Sequence, residues 1–263
     1  MSKFKFLVCS VSILLGACTP AKKEENIDHI ILAINDLPKG IAQFKARTGI
    51  EPALGGVHPY SFTHNALVAL DGDTYIEIMA PRPDAKDVPE DFTKIENLTA
   101  IGWAVRTRNI ESTKEKLKAA GFTASENQSG SRTKPDGTVL KWATFSVESG
   151  SDFPFFIQWS DSTIHPSVTS PKGCPFKSLT ITTAEAKSFQ QLNDQLKLGL
   201  IVNDAKDSKI ELPFKLLRAL LLFRLRERKN KIRRVKVMHQ VTVATGKNTH
   251  LKIKKLDHKN HVV

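Results

Sequence analysis

The chain has 263 residues, of which 40% are hydrophobic and 25% are charged, and its formal net charge is +12 at pH 7. This length allows one or two domains with a buried core. Residues 206–263 carry 17 of the 39 Lys and Arg residues but only 4 of the 27 Asp and Glu residues. The remaining 22 Lys and Arg residues and 23 Asp and Glu residues give residues 1–205 a net charge of −1. The positive net charge of the chain therefore comes from the tail.

The N-terminus has the pattern of an export signal. Lys3 and Lys5 precede an apolar run over residues 6–17, which is too short to span a bilayer comfortably. The segment LGAC, which ends at Cys18, resembles a bacterial lipobox, in which a signal peptidase cuts before the Cys and its thiol is lipidated. An ordinary signal peptide with an incidental Cys18 is the alternative. We predict a lipoprotein signal peptide over residues 1–17.

The residues after the lipobox bear on localisation. Thr19, and not an Asp, follows Cys18. In Gram-negative lipoproteins this pattern indicates sorting to the outer membrane, on its periplasmic face. Residues 18–26 are polar and are predicted to form a short tether. We therefore expect an exported protein that is lipid-anchored to a bacterial membrane.

Residues 27–98 have the pattern of one βαβββ unit. A strand rich in β-branched residues runs from Ile27 to Ile34, and Asp36 is placed to cap a helix that extends to about Arg47. Three shorter strand patterns follow, separated by Gly, Pro and Asp residues. The sheet of such a unit has an apolar face that it cannot bury alone, so a second copy is expected.

Residues 99–160 repeat this order of elements. A strand is predicted over Thr99–Arg106, and Asn109 is placed to cap a helix over Ile110–Ala120. Three more strands are predicted over Phe122–Ser125, Val139–Val147 and Phe153–Trp159. An internal repeat of this kind decides the fold class.

The repeat predicts which residues correspond. Aligning the two helix starts gives an offset of 73 residues and places His29 over Gly102. The last strands, YIEIM and FFIQW, are matched so that Glu77 lies over Gln158. Alternation along the second copy predicts that Trp159 faces the helices.

Residues 161–205 predict a partial third βα unit, with a strand over Ser178–Thr183 and a helix over Ala184–Leu198. The basic tail follows over residues 206–263. Its apolar and basic residues near Phe214 predict an amphipathic helix that binds a membrane surface or an anionic partner. An out-of-frame extension from about residue 210 is the alternative. Nucleic acid is not expected as a partner, because the protein is predicted to be exported and the tail has only two aromatic residues.

Two segments carry a family resemblance. Residues 55–70 read GGVHPYSFTHNALVAL, and residues 75–83 read YIEIMAPRP. With the tandem βαβββ units, they resemble the vicinal oxygen chelate superfamily, which includes glyoxalase I, extradiol dioxygenases and the fosfomycin and bleomycin resistance proteins. Within it, they are similar to the glyoxalase-like domain family. The resemblance covers roughly residues 27–200 and implies an α+β fold whose two units form a cupped mixed sheet.

The resemblance also implies a third unit that ends in two short strands. These strands are not expected here, because the basic tail begins at residue 206. Superfamily members complete the cup within one chain or across a homodimer, and the sequence leaves both arrangements open.

A divalent metal in the cup is a further implication of the resemblance. In the superfamily the ligands come from the first and fourth strands of each unit, where His29 and Glu77 match in the first unit. Such donors suit Zn, Ni, Mn or Fe, and the metal would polarise a substrate oxygen or stabilise an enediolate. The second unit departs from the pattern, because Gly102 has no side chain and Gln158 is a weak neutral ligand.

Three residues between His29 and Glu77 could complete the site. His58 is a candidate third metal ligand. His64 is a candidate proton shuttle, which would make it a catalytic residue together with Glu77. His64, Asn65 and Gln158 are candidate ligand-binding residues in the same cup.

Two functions follow from these residues. The first is a metal-dependent enzyme of the lyase, isomerase or dioxygenase type, acting on a small oxygenated substrate, and the pair His29 and Glu77 favours it. The second is a lipoprotein that binds or sequesters a small molecule in the same cup without metal, and Gly102 and Gln158 favour it. A purely structural membrane lipoprotein is the third alternative. For Glu77 itself, the structural alternative is an inward carboxylate bonded to His29 or Arg82.

Overall fold

The computed structural model describes residues 25–59, 61–150, 152–215 and 220–222. The predicted signal peptide, the lipidation site Cys18 and most of the predicted tether and basic tail lie outside the described residues. Within the described part of the chain, no helix is both long and apolar enough to cross a membrane.

Two βαβββ units follow one another, as the repeat predicts. The first contains β1 (Asn26–Ala33), α1 (Leu37–Thr48), β2 (Ala53–Val57), β3 (Thr63–Ala69) and β4 (Tyr75–Pro81). The connection between the units contains a short helix, α2 (Glu90–Thr93). The second unit contains β5 (Thr99–Arg106), α3 (Ile110–Ala119), β6 (Gln128–Thr133), β7 (Val139–Ser146) and β8 (Phe155–Trp159). The predicted α+β class is confirmed.

The eight strands of both units form one curved mixed sheet in the order β2-β3-β4-β1-β5-β8-β7-β6. At its centre β1 and β5 pair antiparallel, and each pairs in parallel with the last strand of its own unit. The two end strands come close together, since a Cβ added at Gly56 of β2 would lie 2.7 Å from the backbone oxygen of Thr133 of β6. The sheet is therefore a nearly closed cup, which the two units of a single chain complete.

The central strand pair determines how the units correspond. Ile30 lies opposite Trp103, and Ile31 lies opposite Gly102. A two-fold rotation that exchanges Ile30 and Trp103 also exchanges His29 and Gly102. The predicted offset of 73 residues is therefore confirmed for the first strands.

Side-chain caps explain where both long helices begin. The side chain of Asp36 accepts a hydrogen bond from the backbone nitrogen of Lys39 at 2.7 Å, and that of Asn109 accepts one from Ser112 at 3.0 Å. Each bond satisfies a backbone donor that the first helical turn leaves without a partner. Both predicted caps are confirmed.

The third unit is more complete than predicted. It contains α4 (Pro166–Thr169), β9 (Thr180–Thr183), α5 (Ala186–Leu196), β10 (Ile201–Asp204) and β11 (Lys209–Glu211). β9 pairs with both β10 and β11 in a three-stranded sheet. The expectation that the two closing strands are absent is therefore wrong. Ile210 and Leu212 lie beyond the predicted boundary at residue 206, yet each is only 1% exposed.

Two other element predictions are wrong. The second strand of the second unit is β6, whereas the sequence predicts it over Phe122–Ser125. The prediction failed because β6 is a polar edge strand without apolar alternation, and its position is set by pairing with β7. Pro213–Lys215 (β12) and Leu220–Leu222 (β13) pair as short antiparallel strands, where the sequence predicts an amphipathic helix. The remainder of that predicted helix lies outside the described residues.

The main apolar core lies on the convex side of the sheet, under the helices. Ile30 of β1, Phe44 of α1 and Leu117 of α3 are fully buried in it. A smaller apolar cluster fills part of the concave side, where Phe92 of α2 and Met79 of β4 are buried. The rest of the concave side is left for the site.

Candidate functional site

The concave side of the sheet encloses a cavity of about 230 Å³. Its polar lining includes His29, His58, Glu77 and Arg132. Its apolar wall includes Tyr75, Trp142, Phe155 and Trp159. Pockets for drug-sized molecules are larger, at roughly 300–1,000 Å³, so this cavity suits a small molecule.

A β-bulge in β1 turns two consecutive side chains to the concave side. Ile27 lies opposite Val105 and His29 lies opposite Ala104, which makes Asp28 the extra residue. Ile27 is consequently buried in the convex core, while Asp28 and His29 contact each other. Regular alternation would have separated this Asp-His pair.

Asp28 is fully buried and accepts hydrogen bonds from three side chains. Its Oδ1 accepts from Nδ1 of His29 at 2.6 Å, and its Oδ2 accepts from Nε1 of Trp159 at 3.0 Å and Nε2 of His165 at 2.9 Å. Burial alone would raise the pKa of the Asp28 carboxyl, but the hydrogen bonds from His165 and His29 lower it well below its usual range. Asp28 is therefore an ionised anchor that orients the ring of His29.

His29 presents its Nε2 to the cavity. Its ring stacks on Tyr75 with centroids 4.7 Å apart and meets the edge of Phe155 at 5.4 Å. Because Nδ1 donates its proton to Asp28, Nε2 of a neutral His29 is an acceptor. It lies 3.5 Å from Oε2 of Glu77, which is also an acceptor. The two atoms can share a donor that a ligand supplies.

Glu77 is 8% exposed and is held from its other side by polar neighbours. Nδ2 of Asn65 donates to its Oε1 at 2.5 Å, and Nε2 of His58 lies 3.3 Å from the same oxygen. Burial would raise the pKa of Glu77, but its hydrogen bond with His58 and the positive charges that His58 and His29 carry when protonated lower it well below its usual range. The structure thus brings His29, His58, Asn65 and Glu77 together, while their functional roles stay predictions.

Arg132 of β6 is a further polar residue of the cup and is not among the residues predicted from the sequence. Its side chain is nearly inaccessible, with 3% of its surface exposed, and its Nη1 donates to Oδ1 of Asn65. Its Nε has no hydrogen-bond partner among the described residues, and Arg132 forms no ion pair with any of them. Burial lowers the pKa of this guanidinium, and the charge of Glu77 opposes that shift.

The double glycine of the GGVHP segment makes room for this arginine. A Cβ added at Gly55 would clash with Oδ1 of Asn65 and would lie 2.6 Å from Nη1 of Arg132. Gly56 has φ +124°, a backbone conformation that favours glycine. β2 therefore passes close to the guanidinium because both positions lack side chains.

The prediction that His64 faces the cup is wrong. Consecutive residues of a strand point to opposite sides, and Asn65 occupies the concave side. His64 consequently lies on the convex side, where its charged neighbours include Asp36 and Arg82, and burial lowers its pKa. In this position it cannot act as a proton shuttle or bind a ligand in the cavity.

The prediction that Gln158 lines the cup is wrong for a similar reason. Its Oε1 accepts a hydrogen bond from the backbone nitrogen of Ile110 at 2.9 Å, at the beginning of α3. The neighbouring Trp159, which alternation predicted to face the helices, lines the cavity instead. The side-chain alternation of β8 is therefore opposite to the predicted one.

Phe155 is the structural counterpart of Glu77. Glu77 pairs with Ile31 on β1, and Phe155 pairs with Ala104 on β5. Since Ile31 and Ala104 are related by the offset of 73 residues, Glu77 and Phe155 correspond. The apolar last strands contain no marker of their register, so sequence matching aligned them incorrectly.

The described residues offer only part of a site for the divalent metal that the fold superfamily implies. The donor chemistry in the first unit is suitable, since it offers His29, His58 and Glu77. Within the described ranges, however, no group of three or more His, Cys, Asp or Glu side chains is arranged to hold a metal ion. Their counterparts in the second unit offer no donor, because Gly102 lacks a side chain and Phe155 is apolar.

His165 is a second residue that sequence reasoning missed. It reaches Asp28 from a Pro-containing loop 137 residues away, and no motif marks it. Arg132 also lies in a strand without a motif. Its signal was the Gly55-Gly56 pair, since glycine in a strand often marks the close approach of another segment.

Comparisons with known proteins agree with this architecture. A family model described as a glyoxalase-like domain matches residues 27–196. A hypothetical protein from Staphylococcus aureus is 20% identical, with a TM-score of 0.53 over 76% of this chain and 85% of that chain. This likeness is one of fold. No curated protein matches the chain.

Two further solved structures are similar over about half of this chain. Methylmalonyl-CoA epimerase from Mycobacterium tuberculosis is 16% identical, with a TM-score of 0.40 over 54% of this chain and 94% of that chain. A hypothetical protein from Bacillus halodurans C-125 is 14% identical, with a TM-score of 0.40 over 54% of this chain and 99% of that chain.

Proposed function

The chain belongs to the glyoxalase-like domain family, and on that premise we propose that its cup binds a small oxygenated molecule without metal. The observation that carries the proposal is the pair of facing acceptors, Nε2 of His29 and Oε2 of Glu77, which lie 3.5 Å apart at the cavity. When His29 is neutral both atoms are acceptors, and two lone pairs at this distance disfavour each other. A ligand hydroxyl that donates to one of them relieves the contact and gains a charge-assisted hydrogen bond.

The apolar wall supports the same proposal. Tyr75, Trp142, Phe155 and Trp159 surround the polar group and offer ring surfaces to the body of a ligand. A few convergent polar groups in a mainly apolar pocket are typical of small-molecule sites.

The charge state of Glu77 favours binding over proton transfer. A general base works best when its pKa lies near the working pH. The polar neighbours of Glu77 lower its pKa, so the carboxylate accepts hydrogen bonds but takes up a proton poorly. This charge state supports a binding or sequestering role.

Ligand screening tests the proposal, with tryptophan fluorescence as the signal because Trp142 and Trp159 line the cavity. Small hydroxylated molecules are titrated into the protein, and Glu77→Gln is expected to weaken the binding of a hit at least ten-fold through loss of a charged acceptor, worth roughly 1.5–3 kcal/mol. Glu115→Gln is the matched control, because Glu115 is exposed on α3. Equal binding by wild type and Glu77→Gln, or no hit at all, contradicts the proposal.

A divalent-metal enzyme of the lyase, isomerase or dioxygenase type is the second candidate. The orientation of His29 favours it, because Asp28 holds Nδ1 in the way that carboxylates hold metal-bound histidines. Zn, Ni, Mn or Fe would take such donors. Elemental analysis of protein purified without chelator or His tag tests this candidate. About one equivalent of metal that is lost in His29→Ala would support it, and no metal after reloading would contradict it.

We also propose that the protein is exported and lipid-anchored through Cys18. The LGAC segment and the apolar run before it support this proposal. Glu25 is already part of the fold, since its carboxylate lies 3.0 Å from Nζ of Lys116, so a tether has residues 18–24 available.

Cell fractionation tests this localisation. Cys18→Ala is expected to release the protein from the membrane fraction, and Cys9→Ala, in the same leader, is expected to leave it there. Release of the wild-type protein by high salt would instead assign the membrane contact to the basic tail.

A further inference from the structure

We propose that the molecule bound in the cup is a small hydroxycarboxylic acid and that Arg132 binds its carboxylate. This inference rests on the proposed function, because it assigns a second contact of the same ligand. His29 and Glu77 receive the hydroxyl group, and Arg132 receives the negative charge.

Arg132 is a buried cation that makes no direct ion pair with any described residue. It is 3% exposed, and within the described part of the chain it forms one hydrogen bond, to Oδ1 of Asn65, and no ion pair. Its Nε has no partner there. A buried charge without a partner is destabilising by several kcal/mol in general. An anion supplied by a ligand is the missing partner.

Asn65 separates Arg132 from direct contact with Glu77, although the charge of Glu77 still acts on the guanidinium. Its Oδ1 accepts from Nη1 of Arg132, while its Nδ2 donates to Oε1 of Glu77 at 2.5 Å. One amide therefore bridges the two charged groups. Arg132 retains capacity for a carboxylate, and Glu77 stays available to a hydroxyl.

The backbone around Arg132 leaves space for its guanidinium. Both end strands of the sheet meet at this point, and a side chain at Gly55 would overlap Asn65 and Arg132. A planar guanidinium in a restricted space recognises a carboxylate with defined orientation, which an ammonium group does not. This geometry points to an oxyanion that Arg132 holds while the aromatic wall holds the ligand's carbon skeleton.

A panel of small hydroxycarboxylic acids, each paired with its primary amide, tests the inference on the full chain. We expect the acids to bind the wild-type protein at least ten-fold more tightly than the amides, measured by tryptophan fluorescence and calorimetry. Arg132→Gln is expected to reduce the ratio of acid affinity to amide affinity to about one, since the group that distinguishes the two ligands is lost. Lys118→Gln, an exposed cation on α3, is the matched control and is expected to keep the acid preference.

The outcomes separate the inference from the proposed function. If acids and amides bind equally well and Glu77→Gln weakens both, the cup binds small molecules but the inference is overturned. If neither series binds, the proposed function fails and the inference fails with it. The comparison of acid with amide on the wild-type protein remains decisive even if Arg132→Gln does not fold.

Discussion

Asp28 illustrates how one buried carboxylate can organise a site. It receives hydrogen bonds from His29 in the first unit, Trp159 in the second and His165 in the loop beyond. Hydrogen bonds to a charged acceptor contribute roughly 1.5–3 kcal/mol each. The residue therefore joins three parts of the chain and orients the ring of His29 at the same time.

Replacing this carboxylate gives a stability prediction with a defined pH dependence. Asp28→Asn is expected to lower the free energy of unfolding by about 3 kcal/mol at pH 7, because a buried charged acceptor is lost. The folded-state pKa lies below the unfolded value of 3.8. The stabilisation is therefore complete above that pH and is lost as pH falls through the folded pKa.

Urea denaturation of both proteins from pH 7 to pH 2 measures this effect. The difference in unfolding free energy between wild type and Asp28→Asn should narrow below about pH 4. A difference that stays constant across the range would show that the Asp28 charge is not the stabilising group.

A pair of glycine substitutions tests the close approach of β2 to Arg132. Gly55→Ala places a methyl group against Asn65 and Arg132, and overpacking of this kind costs about 1–3 kcal/mol. Gly102→Ala is the control, because its Cβ meets only Ile31, at 3.9 Å. Thermal unfolding should show a lower melting temperature for Gly55→Ala alone, and equal effects would contradict the assigned role of the double glycine.

Strand alternation decides which candidates reach the cup. His64 and Asn65 are neighbours on β3, so only one of them can face the cavity. On β8 the same rule turns Trp159 inward and Gln158 towards α3. On β1 the bulge at Asp28 interrupts the alternation, so that Asp28 and His29 face the same side of the sheet.

The loop after β8 contributes to the site through His165. His165 is the N-cap residue of α4. Its Nδ1 accepts a hydrogen bond from the backbone nitrogen of Ser167 at 3.3 Å, and its Nε2 donates one to Asp28. The loop thereby closes over β1 and supports the anchor of His29. We regard His165 as a positioning residue that acts through Asp28.

Two substitutions test this positioning role. His165→Ala is expected to destabilise the protein by about 1.5–3 kcal/mol and to weaken ligand binding several-fold, because His29 is held less firmly. His165→Gln retains an N–H donor and is expected to restore part of the stability and part of the ligand affinity. Denaturation and fluorescence titration measure the two effects. Unchanged affinity in His165→Ala would leave the residue with a structural role only.

At the scale of the whole molecule, a third unit packs on the cup that the first two units form. Phe189 of α5 stacks on Phe153 with centroids 4.1 Å apart, and Gln191 donates to the backbone oxygen of Ala120 at 2.8 Å. β11 extends this unit into the segment that begins the basic tail. The folded part therefore continues past the residue where the charge changes.

Two isoleucines of the three-stranded sheet test how far the fold continues. Ile210→Ala is expected to lower the unfolding free energy by about 2–5 kcal/mol, because the side chain is 1% exposed. Ile201→Ala, on β10 at the opposite edge of the same sheet, should have little effect, because Ile201 is 48% exposed. Equal effects in chemical denaturation would indicate that β11 is not part of the folded unit.

Individual residues show which features the sequence could predict and which it could not. The caps Asp36 and Asn109 were predictable, because capping depends on bonds within three residues. Arg132 was not, because its partner Asn65 lies 67 residues away and a polar edge strand carries no apolar period. The placement of Gln158 failed because an apolar run does not define its own register.

The sequence by itself determined the repeated βαβββ order, the starts of α1 and α3, and the set of His29, His58, Asn65 and Glu77 as a candidate polar group. These features depend on local hydrogen bonding and on apolar periods that neighbouring residues share. Only the tertiary structure decided which side chains face the cavity, that Asp28 anchors His29, and that Arg132 enters between the end strands. Those outcomes depend on strand register, a bulge and the approach of distant segments, which arise when the sheet closes and have no counterpart in local sequence.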